Sequence, residues 1–421
     1  MTGLTGFWLF SKSVVENLDF SSRVFGPDGL VRRVFALLLV CMATTLNAAP
    51  DYPPLSRVVS PIGGEPAPLL ENIKQPPLGL PAMDIPERNP VTAEKISLGR
   101  KLFFDRRLSF NGTLSCGMCH VPEQGFTQRE LRTPVGLEGR FVKRNAPALY
   151  NVGYRRALFH DGRESSLENQ VWQPLLLHNE MANPSIGFVL DTIAGAEDYR
   201  GLFEAAFEQG LTVETVGMAL ASYQRGLVSA DSPFDRWYFG KEEDAMPAQA
   251  RRGWQVFQDA GCIRCHTIAD DHAHFTNDQF YDTGVGYARS MGIDSTPEPV
   301  RLAPGVSVVP KVSFETAAAN DLGRYEATGS SEDRWLYRVP TLRNVALTAP
   351  YMHDGSFPDL QSVVAWYNRG GEPHPGLDPS IRPLNLSGKQ VSDLLAFLES
   401  LTASNVAMLE ADGRSAGIGD P

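Results

Sequence analysis

Apolar residues recur at helical spacing in two widely separated stretches. Val213, Val216, Leu220, Tyr223 and Leu227 share one face behind Thr212, which predicts an amphipathic helix capped by that threonine. Val391, Leu394, Leu395 and Leu398 repeat the rhythm behind Ser387, and Gln390 is placed to complete a capping box. Two more segments of helical character share a phrase, Gly99-Arg-Lys-Leu-Phe103 and Gly253-Trp-Gln-Val-Phe257. Elsewhere the periodicity fades. From Pro50 to Pro90 prolines are dense, including Pro53-Pro54 and Pro76-Pro77, which predicts an extended arm over the fold. His272 to Asp333 is rich in Gly, Pro, Asp and Ser and predicts loops.

Each Gly-x-x-x-Phe phrase is followed by Cys-x-x-Cys-His: Cys116-Gly-Met-Cys119-His120 and Cys262-Ile-Arg-Cys265-His266. Two thiols at this spacing can both add to the vinyl groups of one haem, and the histidine that follows can bind the iron from one face. The alternative is a zinc or disulfide Cys-x-x-Cys that precedes a histidine by chance. The chain has 5 cysteines, and Cys41 is the only one outside the motifs, so no thiols remain to complete a zinc site. Each unit therefore resembles a cytochrome c domain: helix, haem motif, long loops, closing helix. The expectation is a mainly α fold of two tandem cytochrome c-like domains, with a covalently bound haem c in each. We place a leader at 1–49, the proline-rich arm at 50–90, the domains at 91–238 and 239–403, and a tail at 404–421.

At 421 residues, with 43% hydrophobic and 21% charged positions, the chain has material for two ordinary cores. A net charge of -11 argues against nucleic acid. Acidity suits a basic protein partner, although it also serves solubility alone. Val34 to Ala48 is apolar, follows Arg32-Arg33 and ends in small residues, so it reads as a secretory signal cleaved near Ala48 or Ala49 rather than a spanning helix. Met1 to Gly29 is unlike a signal, which puts the expected true start near Leu30 or Val31. Haem is attached after export, so the expected compartment is the bacterial periplasm, with no membrane-integral form after cleavage.

The chain resembles the bacterial di-haem cytochrome c peroxidases, including the MauG-type members. The likeness runs from about Pro90 to Leu401 and rests on Leu98-Gly-Arg-Lys-Leu-Phe-Phe-Asp-Arg-Arg-Leu-Ser109, Arg144-Asn-Ala-Pro147, Asp161-Gly-Arg163 and the string from Val339 to Gly355. The resemblance implies that His120 is the proximal ligand of a peroxidatic haem and His266 that of an electron-transfer haem. It matches Glu180 to a distal glutamate that would move a proton between peroxide oxygens, a task for a buried carboxyl of raised pKa. Gln170 matches a distal amide, and Pro174 a wall of the distal pocket. Asn145, Thr348 and Pro350 match a calcium site between the haems, built from oxygen donors.

Three positions depart from the simplest peroxidase pattern. Where many relatives hold a distal histidine on the resting peroxidatic haem, this chain has Leu137, and no histidine lies between His120 and His160. That predicts an open distal face in the oxidised protein. The distal ligand of the second haem is often methionine. The matching residue here is Tyr367, in the MauG-type arrangement, with Met352 as a rival sulfur. An anionic oxygen ligand favours ferric iron and lowers the potential. Third, the tryptophan common between the haems is replaced by His160. Imidazole is harder to oxidise than indole, so His160 is read as a spacer or as a hydrogen-bond partner to a propionate.

The activity so implied is reduction of hydrogen peroxide to water with electrons from a small periplasmic cytochrome c or cupredoxin. Two alternatives stay open: a MauG-type oxidase that uses peroxide to modify a residue of a partner protein, and a non-catalytic di-haem electron-transfer cytochrome. Family members are often dimers, so a homodimer is among the implied states.

Overall fold

The computed structural model describes residues 64–292, 300–303, 306–308 and 321–416. The signal segment and Cys41 lie outside the described residues. Six helices organise the molecule: α1 (Ala93–Phe104), α2 (Val213–Gly226), α3 (Ala248–Asp259), α4 (Leu360–Arg369), α5 (Gly388–Glu399) and α6 (Val406–Arg414). Among the described residues, strands are confined to two short antiparallel pairs, Phe280–Tyr281 with Tyr337–Arg338 and Val300–Ala303 with Val306–Val308. The mainly helical expectation holds.

The same helix crossing occurs twice. In α1 a Cβ on Gly99 would stand 2.0 Å from the carbonyl oxygen of Ala219 in α2 and 2.9 Å from Cβ of Tyr223. In α3 a Cβ on Gly253 would stand 1.9 Å from the carbonyl oxygen of Asp393 in α5 and 2.8 Å from Cβ of Phe397. Only glycine lets these backbones approach so closely. Four residues on, the phenylalanine of each phrase reaches the histidine of its motif: Phe103 and His120 ring centroids lie 6.4 Å apart, as do Phe257 and His266. The closing helices start as their sequences predict. Thr212 accepts from the amide of Thr215 and Ser387 from that of Gln390, each within a capping box.

Two large cores follow from these crossings. One collects Leu102, Phe103, Val216, Leu220 and Tyr223, and the other Trp254, Phe257, Leu394 and Phe397. A fully buried leucine or phenylalanine contributes about 1.5–3 kcal/mol. Residues assigned in sequence to one region pack in another. The helix Pro233–Tyr238 sends Phe234 into the second core. The stretch read as a tail supplies α6, whose Leu409 joins the first core and whose Asp412 pairs with Arg100 at 2.6 Å. The proline-rich arm contains a short helix, Leu69–Lys74, with Leu69 in the first core. In the segment expected to be loops, Val285–Ser290 is helical.

Candidate functional site

Both motif histidines are set up identically. His120 Nδ1 lies 3.0 Å from the carbonyl oxygen of Phe126, and His266 Nδ1 lies 2.9 Å from that of Phe275. A carbonyl only accepts, so Nδ1 carries the proton and the Nε2 lone pair is left for a metal. Burial pushes both imidazoles below the ordinary histidine range, His266 to about 4, so both are neutral at pH 7. Neutral imidazole with a free Nε2, beside paired thiols, fits a c-type haem at each motif. At the second motif the space fits as well. A cavity of about 360 Å³ is lined by Cys262, Cys265, His266, Met352 and Tyr367, among others.

Glu180 sits on the turn after the helix Trp172–Leu176, its amide donating to the carbonyl of Leu177 at 2.9 Å. Burial raises its carboxyl to about 7, opposed in part by the nearby Arg163 guanidinium. Its charge reaches the first motif. Burial pushes the thiols of Cys116 and Cys119 up, and the Glu180 carboxylate adds to both. Leu137 is 3% exposed, and its amide donates to the Glu180 carbonyl at 2.9 Å. Pro174 joins the same turn through its carbonyl, which accepts from Met181 at 3.0 Å. Gln170 ends the helix Leu167–Gln170, half-buried and one short helix before the turn.

At the second motif Tyr367 occupies the last turn of α4. Burial lifts its phenol to about 12, with the charges of Cys265 and Cys262 adding and a hydrogen bond with the Thr283 side chain opposing. The phenol therefore lies within electrostatic range of both thiols, in the cavity that His266 also lines. Met352 lines the same cavity and packs in one cluster with Tyr367 and Trp366.

Asn145, Thr348 and Pro350 all line this cavity. Asn145 Nδ2 donates to the carbonyl of Arg132 at 2.8 Å, which turns Oδ1 elsewhere. His160 Nε2 lies 2.9 Å from the Asn145 carbonyl, so that nitrogen donates, and burial lowers the ring to about 3, leaving it neutral. His353 also lines the cavity and stacks on Tyr337 with centroids 3.7 Å apart.

Sequence reasoning missed Arg163 as a partner of Glu180 and Thr283 as a partner of Tyr367, for neither contact has a periodic or motif signal. His272 and His274 lie in the stretch expected to be loops. Both are half-buried, and His274 packs against Tyr154 with centroids 5.0 Å apart. His374 bonds Asp282 Oδ2 through Nε2 at 2.8 Å and stacks on Tyr287. Among the described residues no helix is long and apolar enough to cross a membrane.

Residues 93–243 match the family model described as di-haem cytochrome c peroxidase. The chain is 35% identical to the methylamine utilization protein MauG of Methylorubrum extorquens, over 77% of this chain and 82% of that one. It is 31% identical to the cytochrome c551 peroxidase of Pseudomonas aeruginosa, over 74% of this chain and 80% of that one. Among solved structures, it matches a MauG-like protein associated with microbial copper homeostasis with a TM-score of 0.66, 31% identity, and coverage of 82% of this chain and 98% of that one.

Proposed function

The chain belongs to the di-haem cytochrome c peroxidase family, and we propose that it reduces hydrogen peroxide to water with electrons from a small periplasmic donor, a cytochrome c or a cupredoxin. One peroxide, two electrons and two protons give two waters. The two c-type haems supply the redox chemistry when bound; Cys116, Cys119 and His120 would hold one, and Cys262, Cys265 and His266 the other.

Glu180 carries this reading. It is half-buried, within electrostatic range of the first-motif thiols, with a pKa raised to about 7. A group poised there accepts the proton of the near peroxide oxygen and returns it to the departing one at comparable cost. Leu137 supplies no nitrogen or oxygen to compete for the same face. Gln170 would orient peroxide by hydrogen bonding. At the second motif Tyr367, in preference to Met352, would supply the distal oxygen ligand. Asn145 Oδ1, with carbonyl oxygens of Thr348 and Pro350, would hold a calcium ion. Among the described residues no three His, Cys, Asp or Glu side chains converge as a metal site, so such an ion would depend on amide and carbonyl oxygens.

The placement of Tyr367 beside Cys262 and Cys265 also favours a second reading, a MauG-type oxidase acting on a partner protein. Peroxide added to the oxidised holoprotein separates the readings. Turnover with reduced cytochrome c, abolished by Glu180→Gln, supports the peroxidase. A spectral change without turnover supports the protein oxidase, and no change indicates a plain electron carrier.

A further inference from the structure

Buried cations outnumber carboxylates on one wall of the cavity at the second motif. Arg155 and Arg338 both line it, with side chains 5% and 11% exposed. Both turn to a single oxygen, Asp278 Oδ1, at 3.1 and 3.3 Å. Arg155 Nε is buried with no hydrogen-bond partner. Arg338 gives Nε to the carbonyl of Phe159 at 3.2 Å and shares Nη1 with that of Val339.

The neighbours do not relieve the imbalance. Arg343 is closed by its own bidentate partner, Asp235, at 2.8 Å to each oxygen. His274 is neutral, held down to about 3 by burial and then by Arg155. Two guanidinium groups therefore share one carboxylate away from water, and one positive charge is left over. Burial holds Arg338 down to about 10, and Arg155 adds repulsion. A buried cation without an anion is costly, and so is an unpaired buried N–H.

An anion entering the cavity would resolve both costs. A porphyrin tied to Cys262 and Cys265 through its vinyl carbons bears two carboxylates on another edge. We propose that Arg155 and Arg338, bridged by Asp278, form a carboxylate-binding site that anchors the propionates of the haem at the second motif. This rests on the reading that Cys262–His266 carries a haem. The planar guanidinium fork suits bidentate carboxylate recognition. The same charges hold the potential of this iron up, against the pull of an oxygen ligand, because a nearby cation disfavours the ferric state.

The test uses the holoprotein and the variants Arg155→Gln, Arg155→Lys and Arg338→Gln, with the first haem as internal reference. The haem-to-protein ratio and the midpoint potential of each haem are measured. The expected result is a downward shift of the second-haem potential in both Gln variants, an unmoved first haem, and a smaller shift in Arg155→Lys. Loss of haem from the second motif alone in Arg155→Gln, with loading restored by lysine, also supports the anchor. An unmoved second-haem potential in both Gln variants overturns it, and so does an equal shift of both haems. A wild-type potential that follows added chloride or phosphate would assign the site to a free anion and overturn it too. Only one haem in the wild type would refute the underlying reading instead.

Discussion

The amide of Leu137 donates to the carbonyl oxygen of Glu180 at 2.9 Å. The pair ties the loop around Leu137 to the turn that carries Glu180, the proposed proton-handling carboxyl. A Cβ on the preceding Gly136 would stand 2.0 Å from the carbonyl of Asn179, so the two backbones lie in direct contact. With a buried leucine at this position, the proposed peroxidatic haem would need no ligand released before peroxide binds. Leu137→His should convert the ferric first haem from high-spin to low-spin and suppress peroxide reactivity until the protein is reduced. Absorption and electron paramagnetic resonance spectra of the variant check this.

Glu180→Gln should slow the reaction with peroxide by about 10²–10⁴-fold, the usual contribution of a general acid–base. Only the carboxylate accepts a proton, so the wild-type rate should fall as pH drops below about 7. The stability sign is opposite to that of an ion-paired carboxyl. The folded pKa lies above the ordinary glutamate value of 4.5, so stability declines from there up to about pH 7. Above pH 7 Glu180→Gln should melt higher than the wild type. Stopped-flow rates and thermal melts across pH test both statements.

Arg163 pulls the Glu180 pKa down against the larger effect of burial. Arg163→Gln should therefore move the acid limb of the peroxide reaction to higher pH. A profile that stays in place, or moves to lower pH, would contradict the assignment.

Tyr367→Phe should change the spectrum and potential of the second haem and leave the first untouched, whereas Met352→Ala should change neither ligand set. The reverse pattern would make the sulfur the ligand. Potentiometric titration with optical detection distinguishes the two.

Gly99→Ala and Gly253→Ala each force a methyl against a helix carbonyl about 2 Å away. Each should cost about 1–3 kcal/mol or more, as overpacking of a tight core does. Thermal unfolding of the two holoprotein variants should show similar losses, because the crossings repeat.

How much of this was visible in the chain follows from the range of each contact. The motifs, the Gly-x-x-x-Phe phrases and the caps at Thr212 and Ser387 are local, and they were legible. So was the repeated order of helix, motif and closing helix. The docking of α6 was not, because Arg100 and Asp412 are 312 residues apart and no pattern links them. The burial of His274 was hidden by its polar neighbours, Asp271 and His272. Thr283 and Arg163 touch the site through irregular backbone, where spacing carries no phase. Glu180 and Tyr367 were singled out by family likeness alone, and no local pattern in the sequence marks either of them; in the structure each lies within electrostatic range of a cysteine pair.

The most direct measurement is the electron paramagnetic resonance spectrum of the fully oxidised holoprotein. One high-spin ferric haem and one low-spin ferric haem, in equal amounts, are predicted, the first from the motif beside Leu137 and Glu180 and the second from the motif beside Tyr367. Two low-spin signals, or a single haem per chain, would contradict the arrangement.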